Sequence, residues 1–250
     1  MSRVRARGRR SVLRTVATAL AGLIALLLVG MLLAVLTFRV IDPPTSAVML
    51  EARAQAWWDG DRRYRTEYRW SSLEQISPQT ALAVIASEDQ QFPFHAGFDF
   101  NSIRAAVRAH EQGSRLRGAS TITQQVAKNL FLWSGRSFIR KGLEALFTVL
   151  IETCWPKERI LEMYLNVSEF GYGIYGVEAA AHRFFHVPAA GLSAEQSALL
   201  AAVLPNPRRL HANAPSRYLL TQRDRILQQM ANLGGAAYLR RIAPPQARAR

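Results

Sequence analysis

From Val16 to Phe38 the chain carries no charge and is dominated by Leu, Ala and Val. About 20 such residues in a helix cross the hydrocarbon core of a bilayer, so this segment reads as a transmembrane anchor, residues 16–38. The apolar core of a cleavable signal peptide is shorter, roughly 7–15 residues, so the length favours a retained anchor. Residues 1–15 form a basic tail with six arginines and no acid. The positive-inside rule keeps that tail cytoplasmic and sends everything after Arg39 across the membrane.

The net charge of +14 at first points to nucleic acid. The excess, however, sits on residues 1–14 and 208–250, and the intervening body is balanced. A nucleic-acid domain carries its excess on the folded body, whereas basic termini suit anionic lipid headgroups. No nucleic-acid partner is expected. The one cysteine, Cys154, excludes an intramolecular disulfide and reads as a buried, inert thiol in an apolar helix. The five histidines do not cluster, and no metal-ligand spacing occurs.

Residues 39–72 read as a polar juxtamembrane connector. Its patch from Trp57-Trp58 to Trp70 suits either the headgroup layer or ordinary surface packing. From Ser77 onward the periodicity is helical. Ser77-Pro78 reads as N-cap and first helical position of a helix running to about Gln90. Further helices are predicted at 100–110, from Ser120 or Thr121 to Leu132, at 137–154, 157–170, 177–185 and 193–204. Glu111–Gly118 reads as a mobile loop, Gly171–Gly176 as a glycine-rich turn, and Pro205-Asn-Pro207 as the stop of the last helix. Ser193 with Gln196 forms a capping box. Period-two strand patterns are nearly absent, so the domain beyond the anchor is mostly α.

Several clusters hold candidate chemistry. Glu88 and Asp89 end the Ser77 helix among apolar residues. The negative end of a helix dipole, an adjacent acid and apolar neighbours all make a carboxylate more basic, which suits a general base. A surface acid at a fraying helix end is the plainer alternative. Thr121, Gln125 and Lys128 share one helix face and offer donors to a phosphate or a sugar, while Ile122, Val126 and Leu130 share another. Arg140, Lys141 and Glu144 also share a face, either as simple helix ion pairs or as a cationic clamp for a diphosphate. Asn166 and Glu169, beside the glycines at 171, 173 and 176, read as capping or orienting a site, with a purely structural role for this segment the favoured alternative.

In order along the chain, these clusters resemble the peptidoglycan glycosyltransferases of family 51, most closely the monofunctional biosynthetic peptidoglycan transglycosylases among them. The resemblance covers roughly Leu73–Pro207. It includes ED-x-x-F-x-x-H-x-G-x-D at Glu88–Asp99, GAST-x-TQQ-x-x-KN at Gly118–Asn129 and RK-x-x-E at Arg140–Glu144. It continues with KE-x-I-L-E-x-Y-L-N at Lys157–Asn166, G-x-G-x-x-G-V-E-x-A-A at Gly171–Ala180 and LP-N-P at Leu204–Pro207. No motif position departs from the pattern.

The resemblance implies an all-α, lysozyme-like, two-lobed glycosyltransferase domain, residues 73–235, with a basic C-terminal tail at 236–250. It implies an enzyme of the bacterial inner membrane with its catalytic domain outside the cytoplasm. There it polymerises lipid II on undecaprenyl diphosphate, inverting the donor MurNAc anomeric carbon. Family match makes Glu88 the general base and sets Glu144 across the cleft. Lys128, Arg140 and Lys141 would neutralise the diphosphate, with Thr121, Gln125 and Asn129 on the substrate. Asp89, Phe92, His95 and Asp99 would support the site. No cofactor is required; a divalent cation, Mg or Mn, at the diphosphate is optional. Other cell-wall synthesis and division proteins are the expected partners.

Two-function relatives carry a transpeptidase domain after this one. The chain holds no Ser-x-x-Lys with Lys-Thr-Gly, so peptide cross-linking is not expected. The stretch Phe100–Gly118 is expected to act as a membrane-facing flap, and the basic stretch from Arg208 to meet lipid or solvent. A glycan-cleaving enzyme and a tethered scaffold are the competing readings.

Overall fold

The computed structural model describes residues 2–111, 120–135 and 137–242. Residues 112–118 of the expected mobile loop and flap, Gly118-Ala119 of the GAST motif, Arg136 and the tail from 243 lie outside them. The chain divides into two compact units, residues 1–41 and 42–250.

The first unit is one helix, α1 (Ser2–Val40). It takes in the basic tail as well as the anchor. Within it, Arg14–Val40 is long and apolar enough to cross a membrane, with a mean hydropathy of 2.9 in its most apolar window.

The second unit is mostly helical and opens with a helix the sequence reading missed. The connector is not a polar coil: α2 (Ala47–Trp58) starts where the Ser46 side chain accepts from Met49 N–H, and it buries Met49, Ala52 and Ala56. Leu50, Trp57 and Trp58 face solvent instead. The rest of the unit follows as α3 (Pro78–Glu88), α4 (Phe100–Glu111), α5 (Ile122–Phe131), α6 (Phe138–Cys154) and α7 (Lys157–Val167), then α8 (Val177–Phe185), α9 (Ala194–Val203) and α10 (Arg217–Asn232). Helix α10 lies beyond the Pro205–Pro207 stop, where no helix was expected. Its N-cap is Ser216, and it buries Leu219, Ile226 and Met230 against its neighbours.

Two packing groups follow from the buried faces. Helix α3 is apolar all round from Ala81 to Ala86 and packs on α9 and α10. A buried hydroxyl pair, Thr80 with Ser197 at 2.8 Å, lets α3 and α9 approach. In the other group α5 packs on α2, α6 and α7. The predicted face Ile122, Val126 and Leu130 is buried there, and Phe131 stacks on Phe147 of α6 at 4.4 Å.

The expected capping box Ser193/Gln196 is present on α9, and α5 has one that the sequence reading did not name, Thr121/Gln124. Ser77 and Pro78 are the N-cap and first residue of α3 as expected, but the Ser77 hydroxyl donates to Leu192 O instead of accepting from the helix.

Helix α7 stops at Val167 rather than at Phe170. Glu169–Gly171 (β2) pairs antiparallel with Ile174–Tyr175 (β3), which pairs parallel with Glu67–Tyr68 (β1). The reason is at Gly173, which has φ +75° and would put a Cβ 2.3 Å from Arg65 O. A residue with a side chain there would prevent Glu67 N–H from bonding Gly173 O at 2.8 Å. Asn166 is fully buried and clasps both backbone groups of Ser71, fixing this small sheet to α7.

Cys154 is half-buried rather than buried. The tail from 236 is not free at its start. Gly235–Arg241 forms a 3₁₀ turn, and the buried Tyr238 donates to Gln90 O at 2.6 Å.

Candidate active site

The site lies where the end of α3 meets the start of α5. Glu88 is the last residue of α3, and its Oε2 accepts from Gln125 Nε2 at 2.7 Å. Burial pushes its carboxyl up; the Gln125 hydrogen bond opposes this, the Asp89 charge adds to it, and Lys128 opposes it. The expected direction is therefore present, with desolvation as its main cause. Gln125 is itself held on its other side, where Tyr164 O–H donates to Oε1 at 3.3 Å.

Asp89 is buried and does different work. Its carboxylate accepts from Ile122 N–H, in the first turn of α5, and from His95 Nε2, both at 3.0 Å. His95 Nδ1 accepts from Gly97 N–H at 3.1 Å, so Nε2 carries the hydrogen given to Asp89. One carboxylate thus ties the end of α3 to the start of α5 through a helix N-terminus that favours its charge. Phe92 is fully buried, with Lys157 Nζ 4.5 Å from its ring centroid. Asp99 caps α4: it accepts from Asn101 N–H, Ser102 N–H and the Ser102 hydroxyl, and the Ser102 bonds hold its carboxyl below the usual range.

The α5 face is split between structure and site. The Thr121 hydroxyl donates to Gly97 O at 2.7 Å and accepts from Gln124 N–H, so it holds the loop and the helix start. Gln125, Lys128 and Asn129 instead line a cavity of about 490 Å³ that reaches α2, Tyr164 and Arg208. A second cavity of about 400 Å³ lies on the other side, lined by Glu88, Asp89, Asp99 and Thr121. The Glu88–Gln125 pair stands between them.

Lys128 carries no ion pair or hydrogen bond among the described residues. Burial pushes its ammonium down, Glu144 opposes this, and Arg140 and Lys141 push it further down. Glu144 is buried, with 3% of its surface exposed. It binds Arg140 Nη1 at 2.7 Å through one oxygen and Lys141 Nζ through the other. Both oxygens of a buried acid anchor two cations, Arg140 mostly buried and Lys141 half-exposed, and Arg140 Nε is buried without a partner among the described residues. Asn166 stands apart, whereas Glu169 lines the same cavity as Lys128 and pairs with Arg208 at 3.1 Å.

A family model described as Transglycosylase matches residues 57–231. The chain belongs to the transglycosylase family. It is a glycosyltransferase. A protein of Cronobacter sakazakii named biosynthetic peptidoglycan transglycosylase is 55% identical over 205 residues, 82% of this chain and 85% of that protein. A protein of Escherichia coli with the same name is 56% identical over 203 residues, 81% and 84% of the two chains. One of Xylella fastidiosa, again so named, is 51% identical over 219 residues, 87% and 90%.

In this transglycosylase the sequence reading brought Glu88, Gln125 and Lys128 to one place, and Arg140, Lys141 and Glu144 to a cluster that acts on Lys128 electrostatically. It missed Tyr164, whose position in the KE-x-I-L-E-x-Y-L-N run was the available signal. It also missed Lys157, which bonds Glu152 at 2.9 Å and His95 O at 2.7 Å and so braces the loop behind Asp89.

Proposed function

We propose that this transglycosylase builds peptidoglycan, polymerising lipid II into glycan strands. Glu88 accepts the proton of the acceptor GlcNAc 4-hydroxyl as that oxygen attacks C1 of the donor MurNAc. The C1–O bond to phosphate breaks on the opposite face, so configuration inverts and undecaprenyl diphosphate leaves with the electron pair. Lys128, Arg140 and Lys141 neutralise the departing charge, and Glu144 holds the last two in place. Gln125 orients the Glu88 carboxylate.

The observation that carries this reading is the pairing, in one site, of a desolvated carboxylate with a desolvated, unpaired lysine backed by two anchored cations. A base tuned upward by burial takes a hydroxyl proton more readily near neutral pH, and fixed cations meet charge that forms only as the leaving group departs. A glycan-cleaving enzyme would need an acid on the bridging oxygen and would leave the cations without a task. The relatives' names support peptidoglycan as the product class.

The donor set does not fit a resident metal. Both Glu144 oxygens are taken by Arg140 and Lys141, and no group of three acids, histidines or cysteines stands together among the described residues. The apolar helix would anchor the enzyme once in the inner membrane with its basic end cytoplasmic and its catalytic domain periplasmic.

The test is labelled lipid II with the purified full chain. Wild type makes long glycan strands, and Glu88→Gln makes none while keeping its fold. Undiminished polymer from Glu88→Gln overturns the general-base role, and sugars released from finished glycan would favour cleavage instead.

A further inference from the structure

The first turn of α6 carries Arg140, mostly buried, and Lys141, half-exposed, but its two apolar side chains face solvent. Phe138 is 98% exposed and Ile139 76% exposed. The stack of Phe131 on the buried Phe147, which fixes α6 to α5, lies two turns further along. Locally the turn has the Ser137 hydroxyl accepting from Arg140 N–H at 3.1 Å and the two ion pairs to Glu144. What places the chain leading into it comes from another element. Glu51 on α2 takes Ser134 with one oxygen: Oε2 accepts from Ser134 N–H at 2.7 Å and from the Ser134 hydroxyl at 2.6 Å.

Glu51, Ser134 and Lys128 line the same 490 Å³ cavity. The acid thus shares the cavity with Lys128, and its carboxylate is bonded to the loop. A carboxylate accepting two hydrogen bonds from one residue fixes both the position and the orientation of that residue. Ser134 begins the short stretch that ends at the α6 N-cap, Ser137. A shift of the loop is passed to the turn bearing both cations, whose tie to the rest of α6 runs through the buried Glu144.

We infer that Glu51 is a positioning residue for the reaction: it latches the α5–α6 loop so that α6 presents Arg140 and Lys141 to the diphosphate. The helix nearest the membrane anchor in sequence thereby sets the geometry of the leaving-group side. The inference rests on the proposed role of those two cations. Catalysis is sensitive to such settings, since a displacement of about 1 Å can cost up to about 100-fold in rate.

The experiment uses the full-length enzyme with Glu51→Ala, Glu51→Gln, Ser134→Ala and the Glu51→Ala/Ser134→Ala pair. It reads kcat and KM on lipid II, inhibition by farnesyl diphosphate as a soluble diphosphate probe, and amide exchange at Ser134. Glu51→Ala should lose about 10-fold in kcat/KM, weaken farnesyl diphosphate inhibition by a similar factor and unprotect the Ser134 amide, with Tm unchanged. Glu51→Gln should stay within about 2-fold of wild type, because an amide oxygen still accepts both bonds. Ser134→Ala should lose less than Glu51→Ala and add nothing in the double variant.

Equal losses in Glu51→Gln and Glu51→Ala overturn the latch in favour of a charge effect on Lys128. Additive losses in the double variant overturn it in favour of direct contact with substrate. Lys141→Ala is the control for the underlying reading. If it leaves farnesyl diphosphate inhibition intact, the diphosphate role of the cations fails and the inference fails with it. Loss of Ser134 protection in Glu51→Ala would still identify that failure as one of chemistry rather than of the latch. If Lys141→Ala weakens inhibition while Glu51→Ala does not, the latch alone is wrong.

Discussion

Replacing Asp89 with alanine separates the two adjacent carboxylates by what each one does. The side chain is buried and accepts from Ile122 N–H and His95 Nε2–H. Truncation leaves two buried donors without partners. A hydrogen bond to a charged acceptor is worth about 1.5–3 kcal/mol, so the loss is about 3–6 kcal/mol before relaxation. Against a domain stability of about 5–15 kcal/mol that is a large share.

Asp89→Asn should cost less, about 1–3 kcal/mol: its amide oxygen can still accept from Ile122 N–H, but its NH₂ then faces the His95 Nε2–H. Turning the imidazole to its other tautomer does not help, because Nδ1–H would then face Gly97 N–H. Urea unfolding of the full chain in detergent gives the stabilities, and polymerisation assayed well below each Tm gives the turnover of what remains folded. The expected order of stability is wild type, Asn, Ala, with folded Asp89→Asn retaining measurable turnover. An Asp89→Ala protein as stable as wild type but without turnover would refute the reasoning and move Asp89 into the chemistry.

The Glu88 carboxyl is raised above its ordinary value, so it binds its proton more tightly folded than unfolded. Its contribution is therefore favourable below the unfolded value near 4.5 and is lost as pH rises through the folded one. Glu88→Gln should raise Tm at pH 7 while abolishing turnover, with the difference vanishing near pH 4; thermal scans against pH check both. The wild-type rate should fall in acid with an apparent pKa above the ordinary carboxylate range, read from a kcat/KM profile. Lys128→Met should also raise Tm at neutral pH, because burial lowers that ammonium's pKa, while polymerisation is lost. Gly97→Ala should cost about 2–4 kcal/mol in urea unfolding, since φ is +84° and the new Cβ would lie 2.6 Å from Thr148 Cγ2.

What was legible in the sequence was local. The helices from α3 to α9 announce themselves through apolar period, caps and prolines, and the 120s helix starts at the predicted Thr121. Helix α2 was not legible because only a narrow stripe, Met49, Ala52 and Ala56, is buried, and the exposed tryptophans mask the period. The small sheet was hidden because its strands are two or three residues long, and β1 finds its partner more than 100 residues away. In the site, residue types told which side chains are chemically able to act but not which are already engaged. Thr121 and Gln125 look alike as donors on one face. Only the fold shows that Thr121 is bonded to Gly97 O while Gln125 turns to Glu88.

Burial unifies the two sides of the cleft. The same exclusion of water that raises the Glu88 carboxyl lowers the Lys128 ammonium, so each charge is costly in the empty site. The pair could relieve that cost by closing on one another, yet Gln125 holds Glu88, and Glu144 draws the neighbouring cations to α6. On the proposed reaction the cost is relieved by substrate: a diphosphate on Lys128 and a proton on Glu88 remove both penalties together. Environments that push titratable groups in opposite directions mark where proton and charge are to move. On the proposed reaction they put proton removal at the end of α3 and departing charge between α5 and α6. That requires the two packing groups to keep their register, which the Asp89 bond across them secures while the neighbouring Glu88 does the chemistry.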